Sequence, residues 1–431
     1  MENKTENMTL EELAAFQQAE LQKLLVYLAA NSPFYKKLFS KHNILPEKTI
    51  TAEDFQKIPF TSKEDLQKYN TDFLCVPPAQ IIDYVTTSGT MGEPVTIALT
   101  DKDLDRLAYN EHNSFKISGG SNQDIYQLMT TMDRRFMAGM AYFLGARKLG
   151  AGIVRVGNGI PELQWDTIKR ISPTAIICIP SFILKLIEYA EQNGIDYKNS
   201  SVKKAICIGE PLRNEDFSLN TLGQKIAEKW NLQLFSTYAS SEMAAAFTEC
   251  TAGKGGHLQA DLLLIEIIDD NNKPVTAGEA GELVITTLGV EGMPLLRFKT
   301  GDICRLHIDT CSCGRTTPRI SPVLGRKKQM IKYKGTTLYP SSLYDILDTI
   351  EQVKTYQVEI FTNDIGTDEI LIKVGCETFS ENLEKEIKDH FRAKLRVAPT
   401  VQFEKTEQLN KLVYPEMSRK PVKFIDKRVH L

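Results

Sequence analysis

The chain has 431 residues, enough for a large core and for two or three domains. A hydrophobic fraction of 42% and a charged fraction of 25% are those of an ordinary soluble protein. Lys and Arg number 52 against 55 Asp and Glu, a net charge of −3, which excludes a global field that recruits nucleic acid or an anionic membrane.

In chain order, the first dozen residues are polar and acidic, unlike a secretory signal. Residues 10–30 read as a helix with apolar Leu13, Phe16, Leu21, Leu24, Leu25 and Leu28, stopped by Asn31-Ser32-Pro33. Thr61-Ser62-Lys63-Glu64 marks a second helix start, with Glu64 and Asp65 in its first turn. Two β-prone runs, 81–85 and 95–99, then flank the loop Thr86-Thr87-Ser88-Gly89-Thr90-Met91-Gly92-Glu93-Pro94. Glycine in such a loop lets the backbone approach an anion, and N–H groups and hydroxyls can converge on it. It is not a Walker A loop, because no Gly-Lys-Ser/Thr ends it and a strand follows.

From Tyr84 onward strands alternate with helices. Runs 151–156, 175–179 and 204–208 read as short strands between helical stretches, the pattern of an α/β domain. The longest apolar stretch, 175–187, is broken by Pro180 and Lys185, so a membrane span is not expected and a cytoplasmic location is. Gly209-Glu210-Pro211 follows the strand 205–208, and Tyr238-Ala239-Ser240-Ser241-Glu242 follows the strand 232–235. Ligand loops of open sheets sit at such C-terminal strand ends. After Cys250 the runs 262–268, 281–287 and 295–297 read as strands of a smaller, mostly antiparallel sheet. Lys299-Thr300-Gly301-Asp302 then sets a carboxylate just past a glycine turn. A last α+β unit begins near Gly325-Arg326, with strands at 357–361, 369–374 and 400–404 and a helix at 381–395.

The eight cysteines fall into two groups. Cys75, Cys178, Cys207 and Cys376 occupy apolar or strand-like settings and read as buried thiols. Cys250, His257, Cys311 and Cys313 supply three sulfurs and one nitrogen, a closed tetrahedral set for structural Zn²⁺. These halves are far apart in the chain and meet only if the antiparallel sheet joins them; free surface thiols are the alternative. Cys304 reads as core, and His307 as a substitute ligand.

Taken in order, these motifs resemble the adenylate-forming (acyl-CoA synthetase) superfamily, most of all its phenylacetate-CoA ligase branch. Ser32-Pro33-Phe34-Tyr35, Ile58-Pro59-Phe60-Thr61, the small-residue stretch 139–150, Gly292-Met293-Pro294-Leu295-Leu296-Arg297 and Cys313-Gly314-Arg315-Thr316 are similar to that branch. The resemblance implies an α/β fold with a large N-terminal domain, residues 1–324, whose segment 250–324 is a small antiparallel β subdomain carrying the metal cluster. Residues 325–431 would be a small, mobile α+β domain. It implies that a carboxylate attacks the α-phosphate of ATP to give an acyl-adenylate and pyrophosphate, and that coenzyme A then displaces AMP. Ser88, Gly89, Thr90 and Gly92 would hold the phosphates and Glu242 the Mg²⁺. Gly209, Glu210, Pro211 and Tyr238, with the following Ala239, Ser240 and Ser241, would frame the adenine; Asp302 would take the ribose hydroxyls, with Arg326 nearby. Lys420 would be the adenylation lysine, with Lys423 as the alternative, although Arg419 and Pro421 stand where the family has glycine and alanine. The hinge would lie at Lys327-Lys328, and Gly335 would approach coenzyme A. Two departures stand out in the phosphate loop: Glu93 replaces the usual lysine and Met91 a common threonine.

For the acid, Phe136, Gly139, Met243 and Ala244 lie in apolar, small-residue stretches suited to an aromatic or medium apolar substrate. Asp133, Arg134 and Arg135 add polar contacts. Other readings are transfer to a carrier-protein thiol or an amine, and a catalytically weak nucleotide-binding homologue. Neither nucleic acid nor membrane is an expected partner, and a homodimer is left open.

Overall fold

The computed structural model describes residues 5–49, 51–87, 94–333, 336–363, 368–377, 379–415 and 421–428. The chain divides into two units, Met1–Ser218 with Lys225–Pro322, and Leu219–Gln224 with Val323–Leu431.

The first unit opens with four helices, α1 (Leu10–Asn31), α2 (Pro33–Lys41), α3 (Ala52–Lys57) and α4 (Lys63–Tyr69). Each starts on a hydroxyl cap: Thr9, Ser32, Thr51 and Ser62. In α1, α3 and α4 an acidic third residue returns the bond as a capping box, and such a cap contributes about 1 kcal/mol. Pro33 at the start of α2 explains why α1 stops where it does.

Next comes the antiparallel hairpin of β1 (Ile81–Thr86) and β2 (Thr96–Thr100), followed by α5 (Asp101–Ile117). An α/β run succeeds it: β3 (Ile125–Leu128), α6 (Met137–Leu149), β4 (Gly152–Arg155), α7 (Pro161–Ile171), β5 (Ala175–Cys178), α8 (Pro180–Gln192), β6 (Lys204–Ile208), α9 (Thr221–Lys229) and β7 (Gln233–Ser240). Its strands lie in the order β4-β3-β5-β6-β7, all parallel. β5 is buried throughout, as expected of a parallel strand covered on both faces.

The chain then reverses into β8 (Ala245–Glu249), and β9 (Gly256–His257), β10 (Leu263–Ile268), β11 (Ala280–Thr287), β12 (Phe298–His307) and β13 (Arg319–Ile320) follow. These extend the sheet antiparallel in the order β8-β9-β13-β12-β11-β10. The expected strand at 295–297 is not formed. Arg297 has φ of +47°, outside the β region, and β12 begins one residue later. Its guanidinium explains the departure. Arg297 is 1% exposed, donates to both Glu266 oxygens at 3.0 and 2.7 Å, and reaches the carbonyls of Phe55, Gln56 and Ile58.

The second unit contains β14 (Gly325–Arg326), the hairpin β15 (Ile331–Tyr333) and β16 (Thr336–Leu338), then α10 (Pro340–Leu347). β17 (Thr355–Thr362), β18 (Asp368–Cys376), α11 (Glu381–Leu395), β19 (Thr400–Lys405), α12 (Thr406–Val413) and β20 (Phe424–Asp426) complete it. Its sheet runs β19-β18-β17-β20 and closes over a core that includes Leu343, Val358, Ile372, Ile387 and Phe391. The architecture is thus of the expected class, a large α/β sheet with antiparallel strands and a separate α+β unit. Among the described residues no helix is long and apolar enough to cross a membrane.

Both tryptophans of the chain, Trp165 and Trp230, stack at 5.3 Å within the first unit, so their fluorescence reports on that unit. Arg297→Met strands the largely buried Glu266 carboxylate, and the fluorescence transition in urea is expected to show a loss of about 3–5 kcal/mol. An unshifted transition would show that this clamp contributes nothing to stability.

Candidate active site

Pairing of Ile208 with Thr237 sets Gly209 beside Tyr238 at the C-terminal edge of the parallel strands. Gly209 has φ of +78°, the left-handed region glycine adopts without strain, and it turns the chain sharply out of β6. The Glu210 carboxylate accepts from the Ser181 N–H at 2.9 Å and the Ser181 hydroxyl at 3.0 Å, at the positive end of α8. The Tyr238 hydroxyl donates to Asp302 Oδ2 at 2.6 Å, and its ring stacks on Phe247 at 6.0 Å. Asp302 is buried in β12, and its own N–H donates to Thr300 Oγ1 at 3.1 Å. Gly209, Tyr238 and Asp302, separate in the chain, therefore converge.

Glu242 lies in the turn between β7 and β8, where Ser240 Oγ accepts from the Met243 N–H at 3.3 Å. Ala239 and Ser240 are the last residues of β7, and Ser241 precedes Glu242 in the turn. Met243 and Ala244 are buried, and Ala244 is held at φ of +46°. Arg106 of α5 supplies the hold, donating to the carbonyls of Ala244 at 2.5 Å, Leu262 at 2.7 Å and Leu288 at 2.8 Å. Burial lowers its pKa to about 10, with Asp103 and Asp261 acting the other way. Phe136 caps the start of α6, where Gly139 leaves no room for a Cβ against the Thr131–Met132 backbone.

The four candidate metal ligands come together: the ligand atoms of Cys250, His257, Cys311 and Cys313 all lie within 4.8 Å of one another. The antiparallel register is the cause. β9 sits between β8 and β13, pairing His257 with Thr248 on one side and Arg319 on the other. Cys250 follows β8 directly, and Cys311 and Cys313 occupy the turn between β12 and β13, with Gly314 at φ of +91°. Cys250 and Cys311 sulfurs are 3.6 Å apart, as are Cys313 Sγ and His257 Nε2. Burial lowers the His257 pKa to about 4, reinforced by Arg315 and Arg319. Cys304 is buried in β12, and His307, its ring edge-on to Phe217, is not part of the set.

Around the candidate phosphate loop, Thr87 N–H donates to the Val95 carbonyl at 2.9 Å and Val95 N–H to Thr87 Oγ1 at 3.0 Å, closing its base. Ser88, Gly89, Thr90, Gly92, Gly335 and Lys420 lie outside the described residues. In the second unit, Arg326 and Lys328 are exposed, and Arg428 donates to the Lys328 carbonyl at 2.9 Å while pairing with Asp426 and Asp368. Lys423 donates to the Tyr356 hydroxyl at 3.1 Å and lies over that ring.

Residues 7–292 match the family described as AMP-binding enzyme. The chain belongs to that family. Residues 335–428 match the AMP-binding enzyme C-terminal domain. Among its relatives, the phenylacetate-coenzyme A ligase of Thermus thermophilus is 30% identical over 394 residues, covering 89% of this chain and 86% of that protein. The phenylacetate-coenzyme A ligase of Escherichia coli is 29% identical over 362 residues, covering 82% and 80%. The crystal structure of 2-hydroxyisobutyryl-CoA ligase, in the postadenylation state with R3-HIB-AMP, shares the fold with a TM-score of 0.85 at 22% identity, covering 98% of this chain and 91% of that one.

Several residues that organise the site of this AMP-binding enzyme escaped the sequence reading. Arg106 is one. Another is the pair Arg213–Glu249, in which the Glu249 carboxylate takes Arg213 Nε at 2.8 and 2.9 Å and the Ser236 N–H at 3.0 Å, tying the Gly209 loop to β7 and β8. The signal available was charge at helix positions whose neighbours are apolar: Arg106 precedes Leu107, and both face inward.

Glu210 has a structural duty in this arrangement. Glu210→Ala is expected to cost about 1–2 kcal/mol through the lost cap on α8, read as a lower urea midpoint in tryptophan fluorescence. Unchanged stability would free Glu210 from that duty.

Proposed function

We propose that the chain is an ATP-dependent acid–CoA ligase that activates an aromatic carboxylic acid as acyl-AMP and passes the acyl group to coenzyme A. The observation that carries the reading is the Tyr238–Asp302 clasp beside Gly209, in a chain 30% identical to a phenylacetate-coenzyme A ligase across most of both proteins. In the first step a carboxylate oxygen bonds to the α-phosphorus of ATP while the bond to the β-phosphate breaks and pyrophosphate leaves. In the second the coenzyme A thiolate attacks the acyl carbonyl and AMP leaves. Two anions must approach each other in the first step, so the site contributes chiefly donors, cations and positioning.

Each assigned residue then has a task. Ser88, Gly89, Thr90 and Gly92 hold phosphates through N–H and hydroxyl donors. Asp302, its carboxylate oriented by Tyr238, accepts from the ribose hydroxyls, while Gly209, Glu210 and Pro211 border the adenine with Tyr238 and 239–241. Lys420 places its ammonium between carboxylate and α-phosphate; Arg326 and Gly335 serve the nucleotide and coenzyme A. Residues 325–431 act as the mobile domain, turning at Lys328 between the steps. Mg²⁺, held through Glu242, would supply charge neutralisation at the phosphate oxygens, an oxygen-only task. Phe136, Gly139, Met243 and Ala244 line the acyl site.

The Cys250, His257, Cys311 and Cys313 set fits structural Zn²⁺. A tetrahedron with 2.3 Å Zn–S bonds has edges of about 3.8 Å, close to the 3.6 Å separations here. His257 stays neutral, which leaves Nε2 as a ligand lone pair and Nδ1–H to donate to Thr317 Oγ1 at 3.1 Å. Although burial opposes it, the Arg315 N–H and guanidinium lower the pKa of Cys313 and favour its thiolate. A cytoplasmic location would keep these thiols reduced. Bound zinc would pin β8, β9 and the β12–β13 turn together, with no part in the reaction.

Pyrophosphate release across a panel of carboxylic acids, with and without coenzyme A, tests the reading. Aromatic acids should release pyrophosphate and give CoA thioesters, and Lys420→Ala should lose adenylation while keeping ATP affinity. Adenylate never captured by coenzyme A would favour a carrier thiol or amine, and no release with any acid would leave only nucleotide binding. Elemental analysis should find about one zinc per chain, absent from Cys311→Ser; a stable, zinc-free wild type would remove the metal assignment.

A further inference from the structure

Besides Asp103 and Arg106, α5 buries an ionisable residue that no part of the reaction so far uses. Glu111 is 5% exposed, and its Oε1 accepts from Asn110 Nδ2 at 3.0 Å. Its Oε2 is buried with no hydrogen-bond partner among the described residues. Native proteins leave few such atoms orphaned, because an unmatched buried oxygen keeps the full cost of its lost hydration.

Its location gives the orphan a meaning. α6 follows β3, so its first turns lie at the C-terminal edge of the sheet, and Gly139, Tyr142 and Gly145 share one face at helical spacing. Gly145 packs directly on the Glu111 backbone, where a Cβ would collide. Tyr142 is near enough for the Glu111 charge to disfavour its ionisation. On the other side, Asn110 Oδ1 accepts from the Ala246 N–H at 3.1 Å, two residues beyond Ala244. Asn110 and Glu111 therefore join the two segments assigned to the acyl site, the α6 wall and the stretch after Glu242.

We propose that Glu111 forms the inner end of the acyl site and selects an aromatic acid bearing a hydroxyl group remote from its reacting carboxylate. This rests on the ligase reading above. The unpartnered oxygen would bond that hydroxyl, while an unsubstituted acid would leave it unmatched. A carboxyl so placed is neutral at pH 7, since burial pushes its pKa up to about 8 against the pull of the Asn110 amide. Among the described residues, burial and the Asn110 amide are the influences resolved on it. Tyr142 from α6 and Cys207 from β6, which share this region, are both held neutral by burial through the same range. As a neutral acid the group donates through Oε2, because Oε1 already accepts from Asn110. A pocket built to bond a hydroxyl discriminates strongly against the analogue lacking it.

The test compares kcat/KM for pyrophosphate release with phenylacetate and its 3- and 4-hydroxy analogues, in wild type, Glu111→Leu and Glu111→Gln. Wild type should favour one hydroxylated acid by about tenfold or more, and Glu111→Leu should abolish or reverse that preference while still turning over phenylacetate. Should Glu111→Leu fail to fold, the isosteric Glu111→Gln decides by pH. The wild-type preference should grow as pH rises through about 8, because the ionised carboxylate accepts from the hydroxyl in a charge-assisted bond, whereas the glutamine preference should stay flat. Unchanged discrimination in Glu111→Leu, or identical pH dependence in Glu111→Gln and wild type, overturns the role of Glu111 alone and leaves its oxygen to a structural water. Wild type that releases no pyrophosphate with any acid overturns the ligase reading, and this proposal with it.

Discussion

The arrangement depends on one strand serving two directions of pairing. β7 lies parallel to β6 on one side and antiparallel to β8 on the other, so the sheet changes character across it. Because β8 must reverse the chain immediately, Glu242, Met243 and Ala244 are confined to a tight turn at the ligand edge of the parallel strands. Because β9 must then pair with β8, His257 is carried to the position where Cys250, Cys311 and Cys313 meet it. A register slip of one residue along β8 would turn His257's partners to the opposite face and scatter the set.

Buried and largely buried arginines keep that geometry from relaxing. Arg106, Arg213 and Arg297 each gather backbone carbonyls or a carboxylate from segments distant in the chain. A guanidinium withdrawn from water is tolerated only when its donors are matched in a fixed fork. Each clamp is consequently close to all-or-none: Arg106 satisfies three carbonyls from three loops only when α5 sits correctly over the turn at Ala244. Local strain is stored against these clamps, at Ala244 and at Arg297, both with positive φ.

The chemistry inferred for the chain uses this rigidity. A reaction between two anions gains most from donors and cations whose positions are set beforehand, since little reorganisation then remains for the moment of reaction. Asp302, bonded by the Tyr238 hydroxyl whose ring is held on Phe247, is an acceptor preset in the same way. The cysteine–histidine set stands outside that task and, with the proposed zinc bound, would consolidate the antiparallel strands that present Asp302.

Much of this was legible in the residues themselves. Helix starts at Thr9 and Ser62, the alternation of strands and helices from β3 to β7, and the order of the Gly-Glu-Pro, Ser-Ser-Glu and Thr-Gly-Asp motifs are local properties, each set by side chains within a few positions of one another. So was the family, because motif order survives without knowledge of contacts. Residues 295–297 were misread as a strand because their β-like pattern is overruled by a guanidinium bonded to chain some 240 residues earlier. Likewise the sequence offered four metal-ligand candidates in two halves, and only the β8-β9-β13 pairing brings those halves within reach. Helical period alone would set Asn110 and Glu111 on the inward side of α5. What stands opposite them, a glycine on α6 and a backbone N–H on β8, is decided by packing between elements, which no local pattern encodes.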